Sequence, residues 1–431
     1  MNSAESASLA LVCKERGWTE AGDSTEADLV LINTCSVRLT AEERVFGRIA
    51  HYAGLKKKSK KKFTFVIAGC MAQRLGEELK VKYPAINYVM GTSARSIFPL
   101  ILEAAENNTT AVFDSDINEK SVFTFSDSHY ETENEQGSVF RSFVPIMHGC
   151  NNFCSYCIVP YVRGREVSRS PENILNELRI VAERGVREVT LLGQNVNSYS
   201  WQDFDFADLL KLIADEAQKN GISWIRFLSA NPGNFSLKTI EVLAKNKVFC
   251  RHIHLPVQHG STSVLKAMNR GYTAERFLEL TGEIRSAIPG ISLSTDILVG
   301  FPGETEDDVK KTLQLMEEVK FIYSFMYHFN PREGTKAFDL PDRIADKVKK
   351  ERLSRVIALQ EKHTNEILKG RIGNTETVLI EGISRKNADE LITRTEKDER
   401  AVVPGSKSLI GSFGRLTLSS LKGNTFRGEF I

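Results

Sequence analysis

No run in this sequence approaches the ~18 consecutive apolar residues that a membrane-spanning helix needs, so a helical membrane protein is excluded. The opening residues, Met1 to Ser6, lack the basic start and apolar segment of a secretory signal, so a cytoplasmic protein without a membrane partner is expected. Cysteine is scarce and odd in number. Seven in 431 residues argue against a disulfide framework and leave reduced thiols available to metals. A dominant charge is lacking too: the formal net charge is +2, too small a bias to imply nucleic acid by itself. Hydrophobic residues at 41% and charged residues at 26% match a globular chain and argue against disorder. At about 150 residues per domain, the length predicts about three domains.

Apolar runs from Leu29 to Thr34 (LVLINT) and Phe63 to Gly69 (FTFVIAG) do not alternate, which is the pattern of parallel strands buried on both faces. Helical patterns come after each, from Ala41 to Leu55 and from Leu75 to Lys82, and a small parallel α/β domain is expected over 1–106. Residues 101–137 carry nine Asp or Glu against one Lys, and an exposed acidic linker is expected over 107–137. From Val144, six strand candidates (VPIMHGC, REVTLLGQN, SWIRFLSANP, HIHLPVQHG, ISLSTDILVG and FIYSFMYHFN) alternate with helices near 171–184, 206–219, 236–246, 261–287 and 305–319. Six β-then-α units predict an open or closed parallel barrel over 138–369. Its chemistry should sit at the C-terminal strand ends, where Cys150, Gln194, Asn231, Gln258 and Gly300 fall. Between Arg343 and Arg371 there are nine Lys or Arg and four Asp or Glu, a basic helix that reads either as facing phosphates or as a solvated face. The lysine run from Lys56 to Lys62 (KKKSKKK) reads both ways as well. After Gly370, short alternating runs (TETVLIEGIS, ELITRT, GRLTLSSL, FRGEFI) predict a small β-barrel over 370–431.

The segment from His148 to Cys157 (HGCNNFCSYC) sets Cys150, Cys154 and Cys157 at Cys-x3-Cys-x2-Cys on the loop leaving the first barrel strand. Soft thiolates this close select an iron–sulfur cluster or zinc. Three local ligands without a fourth fit a 4Fe-4S cube whose open iron can chelate S-adenosylmethionine (SAM) and pass it the electron that cleaves its S–C bond. The competing readings are a zinc knot with His148 as fourth ligand, which lacks a second ligand pair downstream, and inert buried thiols. Gly300-Phe301-Pro302-Gly303-Glu304 is not a P-loop, since no Gly-Lys-Ser/Thr comes after it.

Cys-x3-Cys-x-aromatic-Cys after the first strand of a six-unit barrel resembles the radical SAM signature. The longer strings HGCNNFCSYCIVPYVRGREVSR, LLGQNVNSY, HLPVQHGS and STDILVGFPGET resemble the MiaB-type tRNA methylthiotransferases, a resemblance that covers nearly the whole chain. It implies an N-terminal methylthiotransferase domain, a partial (β/α)6 TIM-type radical SAM barrel and a C-terminal TRAM domain that binds RNA. It further implies that Cys150, Cys154 and Cys157 hold the SAM-cleaving 4Fe-4S cluster, and that Cys35 and Cys70 are two ligands of a second 4Fe-4S cluster that delivers sulfur. Both of the latter end predicted parallel strands and can converge on one edge of the sheet. Gln194, Asn195 and Gln258 become SAM contacts, with Gly300 to Glu304 beside the adenine. In the family the third ligand of the second cluster lies in a Gly-Cys-x-x-Asn segment. Residues Met1 to Ser6 resemble the stretch immediately after that cysteine, so the first strand and this ligand are expected to be missing from the sequence as given. Cys13 lies about 16 Å along a helix from Asn2 and is a poor substitute. Like Cys250, it is read as a packed thiol.

The implied activity is methylthiolation of isopentenyladenosine beside the tRNA anticodon. An adenine ring C–H is neither acidic enough for a general base nor open to a nucleophile, so a cofactor must carry the step. One SAM would donate methyl to sulfur and a second would generate the radical, with electrons from a donor such as flavodoxin or ferredoxin. A monomer acting on the tRNA anticodon arm is expected. Sister branches act on threonylcarbamoyladenosine tRNA or on a ribosomal-protein aspartate, and Ser229-Ala230-Asn231-Pro232 departs from the Ser-His-Pro type of sequence expected for the isopentenyladenosine branch. A reading of another class is a non-enzymatic RNA-binding protein with a structural metal knot.

Overall fold

The computed structural model describes residues 2–36, 39–58, 63–92, 94–111, 125, 130–133 and 139–431. It forms two compact units. The first comprises residues 1–130, 148–153 and 157–167, and the second residues 131–147, 154–156 and 168–431. Most of the stretch expected as an acidic linker, and Ser59 to Lys62 of the lysine run, lie outside the described residues. Among the described residues no helix is long and apolar enough to cross a membrane.

The first unit is a parallel sheet of β1 (Leu29–Thr34), β2 (Thr64–Gly69) and β3 (Tyr88–Met90), in that order. Phe65, Val66 and Ile67 of β2 are fully buried, as a central strand covered on both faces requires. Around it stand α1 (Asn2–Glu15), α2 (Leu39–Lys58), α3 (Cys70–Leu75) and α4 (Phe98–Glu106). Helix α4 takes in the start of the acidic stretch, and its last residue, Glu106, accepts hydrogen bonds from Arg16 and Trp18, within the domain expected over 1–106. The single helix expected from Leu75 to Lys82 is instead two short ones, α3 and Glu78–Lys82, parted at Gly76 in the left-handed region (φ 50°).

The second unit holds six parallel strands: β4 (Val139–Pro145), β5 (Glu188–Leu192), β6 (Trp224–Phe227), β7 (His252–His254), β8 (Ser292–Val299) and β9 (Tyr323–His328). They form two sheets, β6-β5-β4 with the short strand Tyr130–Glu133 outermost, and β7-β8-β9. Backbone hydrogen bonds from Ile225 to Val248 and from Cys250 to Ile225 bring the two sheets together between β6 and β7, giving a partial barrel. The first strand starts five residues before Val144. Near its start, Phe140 joins the core of the C-terminal barrel, and Arg141 pairs with Glu381 of that barrel.

Outside the strands lie α5 (Pro171–Glu183), α6 (Phe206–Asn220), α7 (Leu237–Lys245), α8 (Thr262–Ala267), α9 (Ala274–Ala287) and α10 (Glu306–Val319). Their starts are written locally. Ser170 caps α5, and Asp205 with Asp208 and Thr305 with Asp308 form capping boxes for α6 and α10. The single helix expected over 261–287 is broken into α8 and α9 by a turn in which Asn269 and Gly271 are left-handed. Alternation along the strands sends Val189, Leu191, Ile225, Phe227, Ile253, Leu293 and Ile297 into the core shared with the helices. The intervening residues, among them Glu188, Arg226, His252, His254, Ser294 and Asp296, take the inner face.

Helix α11 (Asp346–Lys369) is the basic helix, and three of its seven cations are spent on the barrel, Lys349 Nζ donating to the Phe329 carbonyl, Arg352 pairing with Glu304 and Arg355 with Glu306, while Lys347, Lys350, Lys362 and Lys369 are exposed. The C-terminal residues close a five-stranded barrel, β10 (Thr375–Ser384), β11 (Asn387–Thr395), β12 (Arg400–Pro404), β13 (Phe413–Lys422) and β14 (Thr425–Phe430), in the order β10-β11-β12-β14-β13. Strand β12, short and flanked by charge, was not among the runs read from the sequence.

Candidate active site

In the first unit, β1 and β2 pair in parallel with Thr34 opposite Gly69. The next residue of each, Cys35 and Cys70, therefore leaves the same end of neighbouring strands, which lie about 4.8 Å apart. Thr34 Oγ1 donates to the Ala68 carbonyl (2.6 Å) and accepts from the Met71 N–H (3.1 Å), which ties the start of α3, and with it Cys70, to the end of β1. Gly69 has φ 91°, and a Cβ there would overlap Asn33 and the Thr34 backbone, so only glycine lets the two strand ends close up. Burial pushes the Cys70 thiol pKa up, the Arg163 guanidinium acts against that by charge and hydrogen bond, and Glu5 and Cys35 add to the rise. Arg163 is itself buried and paired with Glu5, Nη1 to Oε1, at 2.6 Å. Beside Cys35, the buried Ser36 hydroxyl has no hydrogen-bond partner among the described residues.

The loop with the other three cysteines is held at several points. Within the first unit, the Cys150 N–H donates to the Gly164 carbonyl (3.2 Å), and the Asn151 N–H donates to Glu166 (3.1 Å). Gly149, at φ 78°, lies so close to the Arg165 carbonyl that no Cβ fits. Phe153 is left-handed at φ 45°, its ring edge-on to Tyr161 and covered by Arg165 at 4.4 Å. Within the second unit, the Ser155 N–H donates to the Met268 carbonyl (3.0 Å), and Cys154 Sγ accepts from Arg270 Nη1 at 3.2 Å. Arg270 also donates to Tyr272 Oη (3.0 Å) and to the Pro256 carbonyl (3.1 Å). Burial works against its charge, yet Tyr156, Tyr272 and Cys154 around it hold its pKa well above the ordinary arginine value. Cys150 and Cys154 are buried and Cys157 is half-buried, and among the described residues none of the three is in a disulfide. Among the described residues no three His, Cys, Asp or Glu side chains are gathered closely enough to hold a metal ion.

The other candidates lie at C-terminal strand ends. Gln194 comes after β5, and its side-chain oxygen is buried without a hydrogen-bond partner among the described residues. Asn195 is buried with its amide directed to Ser198. Gln258 is a non-glycine residue at φ 72°, held there because its N–H donates to the Asp296 carbonyl (2.9 Å) and its carbonyl accepts from the Leu298 N–H (2.7 Å). Asn231 turns out to be a turn former: its N–H donates to Asn197 Oδ1 (2.7 Å) and its side chain accepts from the Gly233 N–H (2.9 Å). After β8, Gly300 (φ 76°) donates its N–H to Glu304 Oε2 (2.7 Å), and that buried carboxylate also meets His259 (3.1 Å) and Arg352 (2.8 Å). Cys250 is fully packed, its thiol pushed up to about 12 by burial. Cys13 lines a groove of about 1800 Å³ along α1 and β1 that includes neither Cys35 nor Cys70.

Sequence reasoning did not single out Arg163 or Arg270. Arg163 ends the short helix Val159–Arg163 and Arg270 lies in a turn, and only its place beside a cysteine distinguishes each from a surface cation. As a donor set, closely spaced thiols with an arginine beside Cys154 and another beside Cys70 suit an anionic iron–sulfur group, since burying negative charge requires a partner.

Comparison with known proteins gives a Radical SAM superfamily match over residues 144–316 and a match to "Uncharacterized protein family UPF0004" over residues 1–91. A tRNA-2-methylthio-N(6)-dimethylallyladenosine synthase of Treponema denticola is 50% identical over 443 residues, covering 100% of this chain and 97% of the relative. Proteins of the same name from Treponema pallidum and Geotalea uraniireducens are 47% and 40% identical, each across 100% of this chain and 96% of their own length. Among solved structures, the radical S-adenosylmethionine methyltransferase TsrM of Kitasatospora setae has the same fold, with a TM-score of 0.59 at 16% identity over 77% of this chain and 73% of that one. With half its residues shared end to end with such a relative, the chain belongs to the family of MiaB-type tRNA methylthiotransferases, enzymes of the radical SAM superfamily.

Proposed function

We propose that this chain inserts a methylthio group into N6-isopentenyladenosine (dimethylallyladenosine) beside the anticodon of tRNA. The observation that carries this reading is the full-length 50% identity to a relative named for that product, repeated at 47% and 40% in further relatives of the same name. That agreement favours the isopentenyladenosine branch over threonylcarbamoyladenosine tRNA or a ribosomal-protein aspartate. The departure at Ser229 to Pro232 is a turn locked to Asn197 and carries no argument for either sister branch.

Cys150, Cys154 and Cys157 would hold the SAM-cleaving 4Fe-4S cluster, and Cys35 and Cys70 would be ligands of a second 4Fe-4S cluster. Bound there, these groups supply one-electron cleavage of SAM and delivery of sulfur. The assignment rests on the Cys-x3-Cys-x2-Cys spacing, on the register that brings Cys35 and Cys70 to adjacent strand ends, and on the family. Around the first cluster the chain's own residues orient SAM. The buried Gln194 oxygen is an acceptor placed at the end of β5, and Gln258 offers an amide at the end of β7. Asn195 holds the intervening turn and is the weakest of the three as a direct contact, since its amide is committed to Ser198. The proposed domain organisation is 1–106 for the methylthiotransferase domain, 107–137 for the linker, 138–369 for the radical SAM domain and 370–431 for an RNA-binding TRAM domain. Acting on tRNA, the protein would work in the cytoplasm, as a monomer drawing electrons from a flavodoxin or ferredoxin.

The test is anaerobic reconstitution with iron and sulfide, then reduction in the presence of SAM. The expected product is 5′-deoxyadenosine, abolished when Cys150, Cys154 and Cys157 are all replaced by Ala. Anticodon-arm RNA bearing isopentenyladenosine should bind in preference to unmodified RNA. SAM cleavage that survives the triple replacement, or stoichiometric zinc without iron, would refute the assignment.

A further inference from the structure

We infer that Arg270 is the positioning residue of the SAM-cleaving cluster: its guanidinium is the built-in counter-charge of the Cys154 sulfur. The inference rests on the proposed ligand role of Cys154. Arg270 lies in the turn between α8 and α9, where the left-handed Asn269 and Gly271 fix the backbone on either side of it. Its three nitrogens are all directed: Nη1 to Cys154 Sγ (3.2 Å), Nη2 to the Pro256 carbonyl (3.1 Å) and Nε to Tyr272 Oη (3.0 Å). Two of these partners hold the fork in place, and the third is a sulfur.

Charge accounting makes the sulfur the partner of consequence. A buried guanidinium is costly unless an anion stands beside it. Arg270 is half-buried, and the arginines that are buried outright each have a carboxylate within reach: Arg163 has Glu5, Arg169 has Glu177, Arg226 has Glu188 and Arg352 has Glu304. Among the described residues no carboxylate pairs with Arg270. Its partners are a neutral carbonyl, a phenol and Cys154, so the anion that completes this site is the sulfur of Cys154 in its metal-binding, deprotonated form. Cys70 offers the contrast. The arginine beside it, Arg163, is paired with Glu5. Adding an electron to a cluster adds negative charge, and an uncompensated guanidinium on one of its ligands favours the reduced form. The same fork fixes where Cys154 sits relative to the end of β7 through Pro256.

The experiment uses the full chain, reconstituted anaerobically, with the reduction potential of the cluster read by electron paramagnetic resonance during a redox titration. The Cys35→Ala, Cys70→Ala background leaves one cluster to observe. In that background Arg270→Met should make reduction at least about tenfold less favourable, or about 59 mV for one electron, with iron content retained. Arg270→Lys, which restores the charge, should recover most of the shift, and Tyr272→Phe, which removes a structural partner without changing charge, should leave the potential in place. Should the Met variant fail to fold, Arg270→Gln, neutral but still a donor, is measured instead and should show the same direction. A potential unchanged in the neutral variants, or an equal shift in Met and Lys variants, overturns the inference. Absence of iron from the background protein overturns instead the ligand assignment on which it rests.

Discussion

Glu188 offers the sharpest stability test. It opens β5, is fully buried, and accepts from three guanidiniums: Arg141 Nε at 3.0 Å, Arg226 Nε at 2.7 Å and Arg394 Nη2 at 2.7 and 2.9 Å. Arg394 also reaches Glu381 (2.6 Å) and Asp398 (2.8 Å), so three arginines balance three carboxylates. Two of those arginines come from the radical SAM strands and one from the C-terminal barrel, which makes Glu188 the joint between them. Glu188→Gln removes one charge and strands part of a buried guanidinium cluster. Breaking a buried pair costs about 3–5 kcal/mol, of which the remaining amide oxygen recovers about 1. A loss of about 3 kcal/mol is therefore expected. The assay is urea unfolding monitored by fluorescence of Trp224, which stacks edge-on against Phe413 of the C-terminal barrel at 4.8 Å, in a Trp18→Phe, Trp201→Phe background. The pH dependence has a definite sign. Burial raises the Glu188 pKa, but Arg394, Arg226 and Arg141 more than offset this, and the folded-state pKa is depressed. Its stabilisation is thus fully present above the ordinary glutamate pKa of about 4.3 and is lost as pH falls through the lower folded value. The gap between wild type and Glu188→Gln should be constant at neutral pH and close only in strong acid. A variant within about 0.5 kcal/mol of wild type at neutral pH would refute the argument that this network joins the two barrels.

Two single residues supply further tests. Gly69→Ala should destabilise the first unit by well over about 1 kcal/mol, since the left-handed backbone and the overlap with Thr34 act together; a thermal melt unchanged from wild type would show that the two cysteine-bearing strand ends are not closely joined. His252 is held neutral: burial pushes its pKa down to about 3, and Arg226, His254 and Arg394 act in the same direction against the opposing pull of Asp398. Between about pH 6.5 and about 3 the unfolded chain binds the proton that the folded chain refuses, so stability falls as pH drops through that window. His252→Phe, which can keep the stack on Tyr323, should flatten that part of the stability profile, and an unchanged slope would count against a neutral His252.

Local chemistry announced much of this protein. Uninterrupted apolar runs marked β1 and β2, capping residues such as Thr305 marked helix starts, and the three-thiol spacing marked the loop, because each signal depends on neighbours within a few residues. Where local signals failed, a distant partner had decided the outcome. The start of β4 buries Phe140 against the C-terminal barrel, and Arg352 and Arg355 of α11 pair with Glu304 and Glu306 of the barrel. The sequence by itself determined which residue types are present for chemistry: the thiols, the amides at strand ends and the repeated β-then-α order. Only the tertiary structure decided the parallel register that sets Cys35 beside Cys70, the seating of Arg270 against Cys154 without a carboxylate, and the gathering of three arginines on Glu188. Those outcomes depend on burial and on contacts between residues far apart in the chain, which alone turn an ordinary arginine or glutamate into a partner whose charge cannot be left uncompensated.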